Sequence, residues 1–136
     1  MKRKIWKSVA LLICLIMAFS MLETAERIKA EDLRYVYVKE AECSISITSG
    51  TATVLSKVKG ETGTTAINIT VYVESYYNGE WNYYTSWTHS GVNQNNTDST
   101  SVTTGIYRVW MSVSATSGGN TESFNVDGNI TWCLGN

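Results

Sequence analysis

The chain has 136 residues, no proline, three cysteines and a formal net charge of −1. Its positive charge is concentrated near the start; from Glu31 onward five Lys or Arg face ten Asp or Glu, a formal charge of −5. Five scattered cations make no basic stripe for a phosphate backbone, which excludes nucleic acid and anionic membranes as expected partners.

The first thirty residues have the three zones of a secretory signal: Lys2, Arg3, Lys4 and Lys7, an uncharged run from Ser8 to Leu22, then a polar stretch with small residues. The run falls short of the roughly 20 apolar residues that span a bilayer, so a cleaved signal is expected over residues 1–30 rather than an anchor. Cleavage is expected after Ala30, with Ser20 and Ala25 as other small residues at which a peptidase can cut. Ile13 before Cys14 and Glu42 before Cys43 are too large or too polar for a lipid-attachment site. No later stretch is apolar enough to enter a membrane.

Removal of the leader leaves 106 residues with two cysteines, Cys43 and Cys133, in a compartment where disulfides persist. They stand near the two ends of the expected domain, 43–136, so the sequence predicts a bridge between them. In the chain-entropy model, closing that loop contributes about 4.6 kcal/mol. Two buried thiols or a metal pair are the alternatives.

Thr, Ser, Val, Ile, Tyr and Trp dominate after position 43, which is a strand composition. Residues 31–42 read as a leader or an extra edge strand, with Leu33, Tyr35 and Tyr37 alternating against Arg34, Val36 and Val38. Cys43, Ile45 and Ile47 then share one side of a first strand, Ser49-Gly50 turns, and Ala52, Val54, Ser56 and Val58 line a second. After the loop Gly60-Glu61-Thr62-Gly63, the alternation of Ile67, Ile69, Val71 and Val73 predicts a strand in the middle of a sheet.

Asn78-Gly79 between two strand-forming runs predicts a tight hairpin, because both residues accept positive φ. On the returning strand Trp81, Tyr83, Thr85 and Trp87 are expected on one face, and Asn82, Tyr84, Ser86 and Thr88 on the other. Ser90 to Asp98 reads as a polar surface loop and Ser99 to Thr103 as a short strand. Tyr107, Val109, Met111, Val113 and Ala115 define the inner side of a long strand, and Ser117-Gly118-Gly119-Asn120 the next turn. Two final strands, Glu122 to Val126 and Ile130 to Leu134, flank Asp127-Gly128-Asn129. Seven or eight strands with regular turns predict an all-β, immunoglobulin-like Greek-key sandwich.

The runs Ser49-Gly50-Thr51-Ala52-Thr53-Val54 and Gly63-Thr64-Thr65-Ala66-Ile67-Asn68-Ile69-Thr70-Val71-Tyr72-Val73, with Gly79-Glu80-Trp81, Ser86-Trp87 and Gly105-Ile106-Tyr107-Arg108-Val109, carry a family likeness over about Cys43 to Phe124. In strand spacing and composition the chain resembles an uncharacterised family of small secreted proteins from Gram-positive bacteria. The resemblance implies an extracellular immunoglobulin-like sandwich and no particular activity. Separately, Gly105-Ile106-Tyr107 at the start of a late strand matches the tyrosine corner of Greek-key sandwiches, which makes Tyr107 structural.

No constellation demands a chemistry. His89 is the only histidine and is expected in a solvated loop; with both cysteines bonded, a zinc site lacks ligands. Ser90, His89 and Asp98 can be written as a triad, but no local motif positions the serine as a nucleophile. Glu74 and Glu80 flank the hairpin, where acidic residues commonly serve solubility and edge protection rather than sugar-bond cleavage. No catalytic residue, metal or cofactor is therefore expected. Asn68-Ile69-Thr70, Asn95-Asn96-Thr97 and Asn129-Ile130-Thr131 fit a glycosylation pattern that a Thr-rich chain produces by chance.

The aromatic residues are the better candidate. If the third, fourth and late strands share a sheet, Tyr72, Tyr84 and Trp110 gather on an outward face with Asn68, Thr70, Glu74, Asn82 and Arg108. Such a surface stacks on sugar rings or takes a protein hot spot, or simply stabilises a solvated sheet through cross-strand pairs. The sequence predicts a secreted, non-enzymatic sandwich that meets an extracellular glycan or protein surface. A carbohydrate-binding module and a bacteriocin-like effector are the narrower alternatives, and a hydrolase comes last.

Overall fold

A computed structural model describes residues 35–135. These residues are all-β; the expected signal, residues 1–30, lies outside them, as do residues 31–34 of the expected leader or edge strand. Among the described residues seven strands form: β1 (Val38–Thr48), β2 (Thr51–Gly60), β3 (Ala66–Tyr77), β4 (Glu80–Ser90), β5 (Asn93–Ser101), β6 (Gly105–Ser117) and β7 (Asn120–Cys133). They build two antiparallel sheets, ordered β1-β2-β5 and β4-β3-β6-β7. The chain crosses between sheets so that β2 neighbours β5 and β3 neighbours β6, which is the Greek-key connectivity of an immunoglobulin-like sandwich.

Period-two patterning accounts for the core. Ile67, Ile69, Val71 and Val73 on β3 and Val109, Met111, Val113 and Ala115 on β6 turn inward and are essentially inaccessible. Across the gap they meet Ala41, Ile45, Ala52, Val54 and Val58 from the other sheet. Each such Val, Ile or Met contributes roughly 1.5–3 kcal/mol by leaving water. As expected, β3 lies inside its sheet, between β4 and β6.

Three two-residue turns set the registers. Ser49-Gly50, Asn78-Gly79 and Gly118-Gly119 all place both residues at positive φ, the geometry whose twist matches the strands it joins. The tyrosine corner is present: Tyr107, buried on β6, donates its phenol to Thr103 O at 2.9 Å.

Two seams close the sandwich. On one side Asn129 of β7 accepts from Ile45 N and donates to Ile45 O, both at 2.8 Å, so its amide acts as a short piece of ladder toward β1. Toward the start of β7, on the same seam, the Glu122 carboxylate accepts from Val36 N and Tyr37 N. On the other side Tyr84 donates to Ser101 O at 2.6 Å and His89 Nε2 lies 2.7 Å from Asp98 Oδ2, joining β4 to β5.

The structure departs from the sequence reading at three elements. The stretch expected to be a loop after Ser90 is largely strand β5, because its polar side chains pair inward as well as outward. Gln94 donates to Ile67 O and Gly91 O, and Asn96 donates to Ser56 Oγ. Asp127-Gly128-Asn129 is no turn but a bulge within β7, where Trp110 pairs Asp127 and Arg108 pairs Ile130. A Cβ on Gly128 would lie 2.5 Å from Val109 Cγ1 and 2.7 Å from Cys43 O, so glycine is required there by close approach. Val38, expected in the leader or edge strand, already belongs to β1.

Candidate functional site

The outward side of the four-stranded sheet is laid out by register, since directly paired residues of an antiparallel ladder share a face. From the β3–β4 hairpin end, the second rung across β4, β3, β6 and β7 reads Tyr83, Glu74, Arg108, Ile130. The third reads Ser86, Tyr72, Trp110, Asp127. The first is completed by Trp81 paired with Tyr76 and by Ile106 paired with Trp132. Beyond them the fourth rung is Thr88, Thr70, Ser112, Asn125 and the fifth Ser90, Asn68, Ser114, Ser123. The sixth is Ala66, Thr116, Thr121.

One face therefore has two ends. The first three rungs hold the aromatic residues and all three charges of this face, and the remaining rungs hold hydroxyls, amides and one alanine. Spacings of about 4.8 Å between strands and 6.8 Å between alternate residues give the aromatic end a lattice about 14 by 14 Å.

The aromatic end is held rigidly by its own contacts. Tyr72 and Trp110 stack with centroids 4.3 Å apart and an interplanar angle of 15°. Glu74 Oε1 accepts from Arg108 Nε at 2.9 Å and from Trp110 Nε1 at 2.8 Å. The Arg108 guanidinium lies 4.4 Å from the Trp81 ring centroid, a cation–π contact, and Tyr76 meets Trp81 edge-on at 5.2 Å. Around this scaffold Trp132 is 63% exposed, Tyr83 66% and Tyr76 45%. Ile106 and Ile130 stand exposed beside them.

Of the three expected face residues, the structure brings Tyr72 and Trp110 together and places Tyr84 elsewhere. A bulge at β3–β4, where Val73 pairs Thr85 and Glu74 pairs Tyr83, leaves Tyr84 as the extra residue. Its ring turns edge-on to buried Tyr107 at 5.4 Å and its hydroxyl crosses to β5. The same bulge reverses the phase of the strand, so Trp81 and Tyr83 join the outward face while Thr85 and Trp87 stay on the inward side. Asn82, also expected on the outward face, donates to Tyr77 O and Glu80 O at the hairpin. The exposed rings Tyr76, Tyr83 and Trp132 were missed; the adjacent Tyr83-Tyr84 pair, which breaks alternation, is the signal that marks the bulge.

The expected bridge between Cys43 and Cys133 is not formed. Cys43 Sγ lies 3.7 Å from Val126 O, whereas Cys133 pairs with Gly105 at the far end of β7. The β6 partners of Val126 and Cys133, Met111 and Gly105, are six residues apart, or about 20 Å along an extended strand. A disulfide needs Cα atoms within about 7 Å. Both cysteines are buried among core side chains, and no disulfide joins two described residues.

The other constellations resolve similarly. His89 is not in a solvated loop: it lies on β4 with a side chain 25% exposed, bonded to Asp98. Ser90 points to the opposite side of the strand, where its hydroxyl donates to Asn68 Oδ1 at 2.6 Å, so no triad assembles. Glu74 is engaged by Arg108 and Trp110, and Glu80 pairs with Tyr77 at the hairpin, so the two carboxylates do not face one bond. Among the described residues there is no cluster of three His, Cys, Asp or Glu suited to a metal, and no helix long and apolar enough to cross a membrane.

No family model and no curated protein matches the chain. Among solved structures it is similar to CsgH of R. palustris, with a TM-score of 0.36 and 12% identity over 65% of this chain and 92% of that one. It is also similar to the CARDB domain of the PF1109 protein from Pyrococcus furiosus, solved in complex with di-metal ions, with a TM-score of 0.36 and 19% identity over 70% of this chain and 96% of that one.

Proposed function

We propose that this protein is an exported, non-catalytic binding module whose aromatic end stacks on the rings of an extracellular glycan. Export rests on the signal-like first thirty residues. The observation that carries the binding reading is the set of outward rings Trp132, Tyr76 and Tyr83, mounted on a braced lattice of Trp110, Tyr72, Glu74 and Arg108. Aromatic rings present flat apolar faces with polar rims, matching the C–H faces and hydroxyl edges of sugars. Size favours a glycan over a protein partner: the lattice is several-fold smaller than the roughly 800 Å² each partner contributes to a standard protein interface.

The test is retention of the purified mature protein on immobilised neutral polysaccharides. Trp132→Ala is expected to lower affinity at least about tenfold, equivalent to 1.4 kcal/mol, with the melting midpoint nearly unchanged because the ring is exposed. Trp110→Ala is a poorer probe, since Trp110 is stacked under Tyr72 and bonded to Glu74. No retention by the wild-type protein, or full retention by Trp132→Ala and by Tyr76→Ala with Tyr83→Ala, contradicts the reading. A partner that proves to be a protein instead, with the same Trp132 sensitivity, overturns the glycan assignment while leaving the surface in place.

A further inference from the structure

Resting on the glycan reading, we infer that the site extends past the aromatic rings onto the hydroxyl-rich end of the same face, and that its ligand is a neutral, unbranched polysaccharide lying along the strands. Charge and geometry carry this. Of the outward positions on this sheet only Glu74, Arg108 and Asp127 are charged, and Glu74 and Arg108 neutralise each other at 2.9 Å. From the fourth rung onward the face has no charge at all. The other sheet of the same protein shows that this is not a general feature of its surface: Glu40, Glu42, Lys57 and Lys59 form ion pairs on its outward side. An anionic or cationic polymer finds nothing complementary on the hydroxyl end, whereas a polyhydroxylated neutral chain does.

Side-chain valence supports the same conclusion. Ser112, Ser114, Ser123 and Asn125 make no side-chain hydrogen bond among the described residues, and all four are exposed or half-buried on adjoining strands. Each serine hydroxyl offers one donor and two acceptor positions, and the amide two of each. Six rungs span about 34 Å from Trp81 to Thr116. The aromatic rungs fill less than half of that length, so a long chain seated on them continues over the hydroxyls.

The experiment is calorimetric titration of the full mature protein with xylo- and chito-oligosaccharides of two to eight sugars, with carboxymethyl-cellulose as an anionic control. Affinity is expected to rise by at least about tenfold between the disaccharide and the hexasaccharide. Ser112→Asp with Ser114→Asp is expected to abolish that gain while leaving disaccharide binding intact. Ser123→Lys, on β7, repeats the test from a neighbouring strand should the double variant fail to fold. An affinity that stops rising at the disaccharide, or a hexasaccharide gain that survives both variants, overturns the extension and leaves the aromatic site standing. Preference for carboxymethyl-cellulose overturns the neutral-ligand assignment. If the wild-type protein binds neither ladder, the extension and the binding reading fall together.

Discussion

The two ends of the outward face of β4-β3-β6-β7 share a backbone and the same kind of inner lining, yet one carries nearly all the rings and every charge while the other carries hydroxyls and amides. Beneath both ends the core repeats the same apolar alternation, Ile67 and Ile69 under the hydroxyls, Val71 and Val73 toward the aromatic residues. Packing against the second sheet therefore does not dictate what the outer side carries. Both bulges sit inside the aromatic end, between its second and third rungs, at Val73/Glu74 on β3–β4 and at Arg108/Trp110 on β6–β7. Bulges increase local twist and re-aim side chains. Here they bring Trp81 and Tyr83 outward on one side and Ile130 and Trp132 outward on the other. The chemistry of the aromatic end is thus built by irregularities in the ladder, and that of the hydroxyl end by its regular continuation.

The strongest way to break this contrast is to remove the β7 bulge. Gly128→Ala forces a Cβ against Val109 and the Cys43 carbonyl, and is expected to destabilise the fold by about 3 kcal/mol, read as a lower urea midpoint. Both ends should suffer together. Glu74→Ala acts on the aromatic end alone: it strands the Arg108 guanidinium and the Trp110 N–H, for a loss of about 2 kcal/mol and a shift in tryptophan fluorescence. Tyr84→Phe removes the seam bond to Ser101 O and should cost about 1 kcal/mol without altering glycan retention, since Tyr84 has left the face.

Two smaller effects lie outside the face. Lys57 donates to Glu40 at 2.7 Å and holds its carboxyl below the ordinary 4.5, so the stabilisation from this pair is present above that pH and is lost as pH falls through the lower folded value. Lys57 is correspondingly raised above 10.5, and its contribution fades only as pH rises past that value. Glu40→Gln should therefore lower stability slightly at neutral pH and leave it unchanged at acid pH, where the carboxylate is already protonated, so that the acid limb flattens, measured as urea midpoints between neutral and acid pH. Finally, non-reducing peptide mapping should find no Cys43–Cys133 crosslink, and melting should be the same with and without reductant.

Much of the architecture is legible in the residues. Ile67 to Val73 announces a central strand by strict alternation, Asn78-Gly79 and Ser49-Gly50 mark their turns by tolerance of positive φ, and Tyr107 marks its corner. What is hidden depends on partners remote in sequence. Strand β5 is rich in Asn, Ser and Thr and reads as loop, because the amide contacts that satisfy Gln94 and Asn96 come from β3 and β2. Tyr84 leaves the face through a one-residue bulge, which exchanges the two sides of everything preceding it on β4. The two cysteines read as a staple because both stand near the domain ends, but proximity to a terminus carries no information on register, and register seats Cys43 of β1 beside Val126, about 20 Å along β7 from Cys133.

The most direct test of the account is chemical-shift mapping of the isotopically labelled mature protein during titration with a neutral oligosaccharide. The account predicts that the Trp132 indole N–H and the amides of Tyr76, Tyr83, Arg108 and Ile130 move first, with those of Ser112 and Ser114 following as the ligand lengthens. Shifts confined to β1, β2 and β5, or to the His89–Asp98 seam, would contradict it.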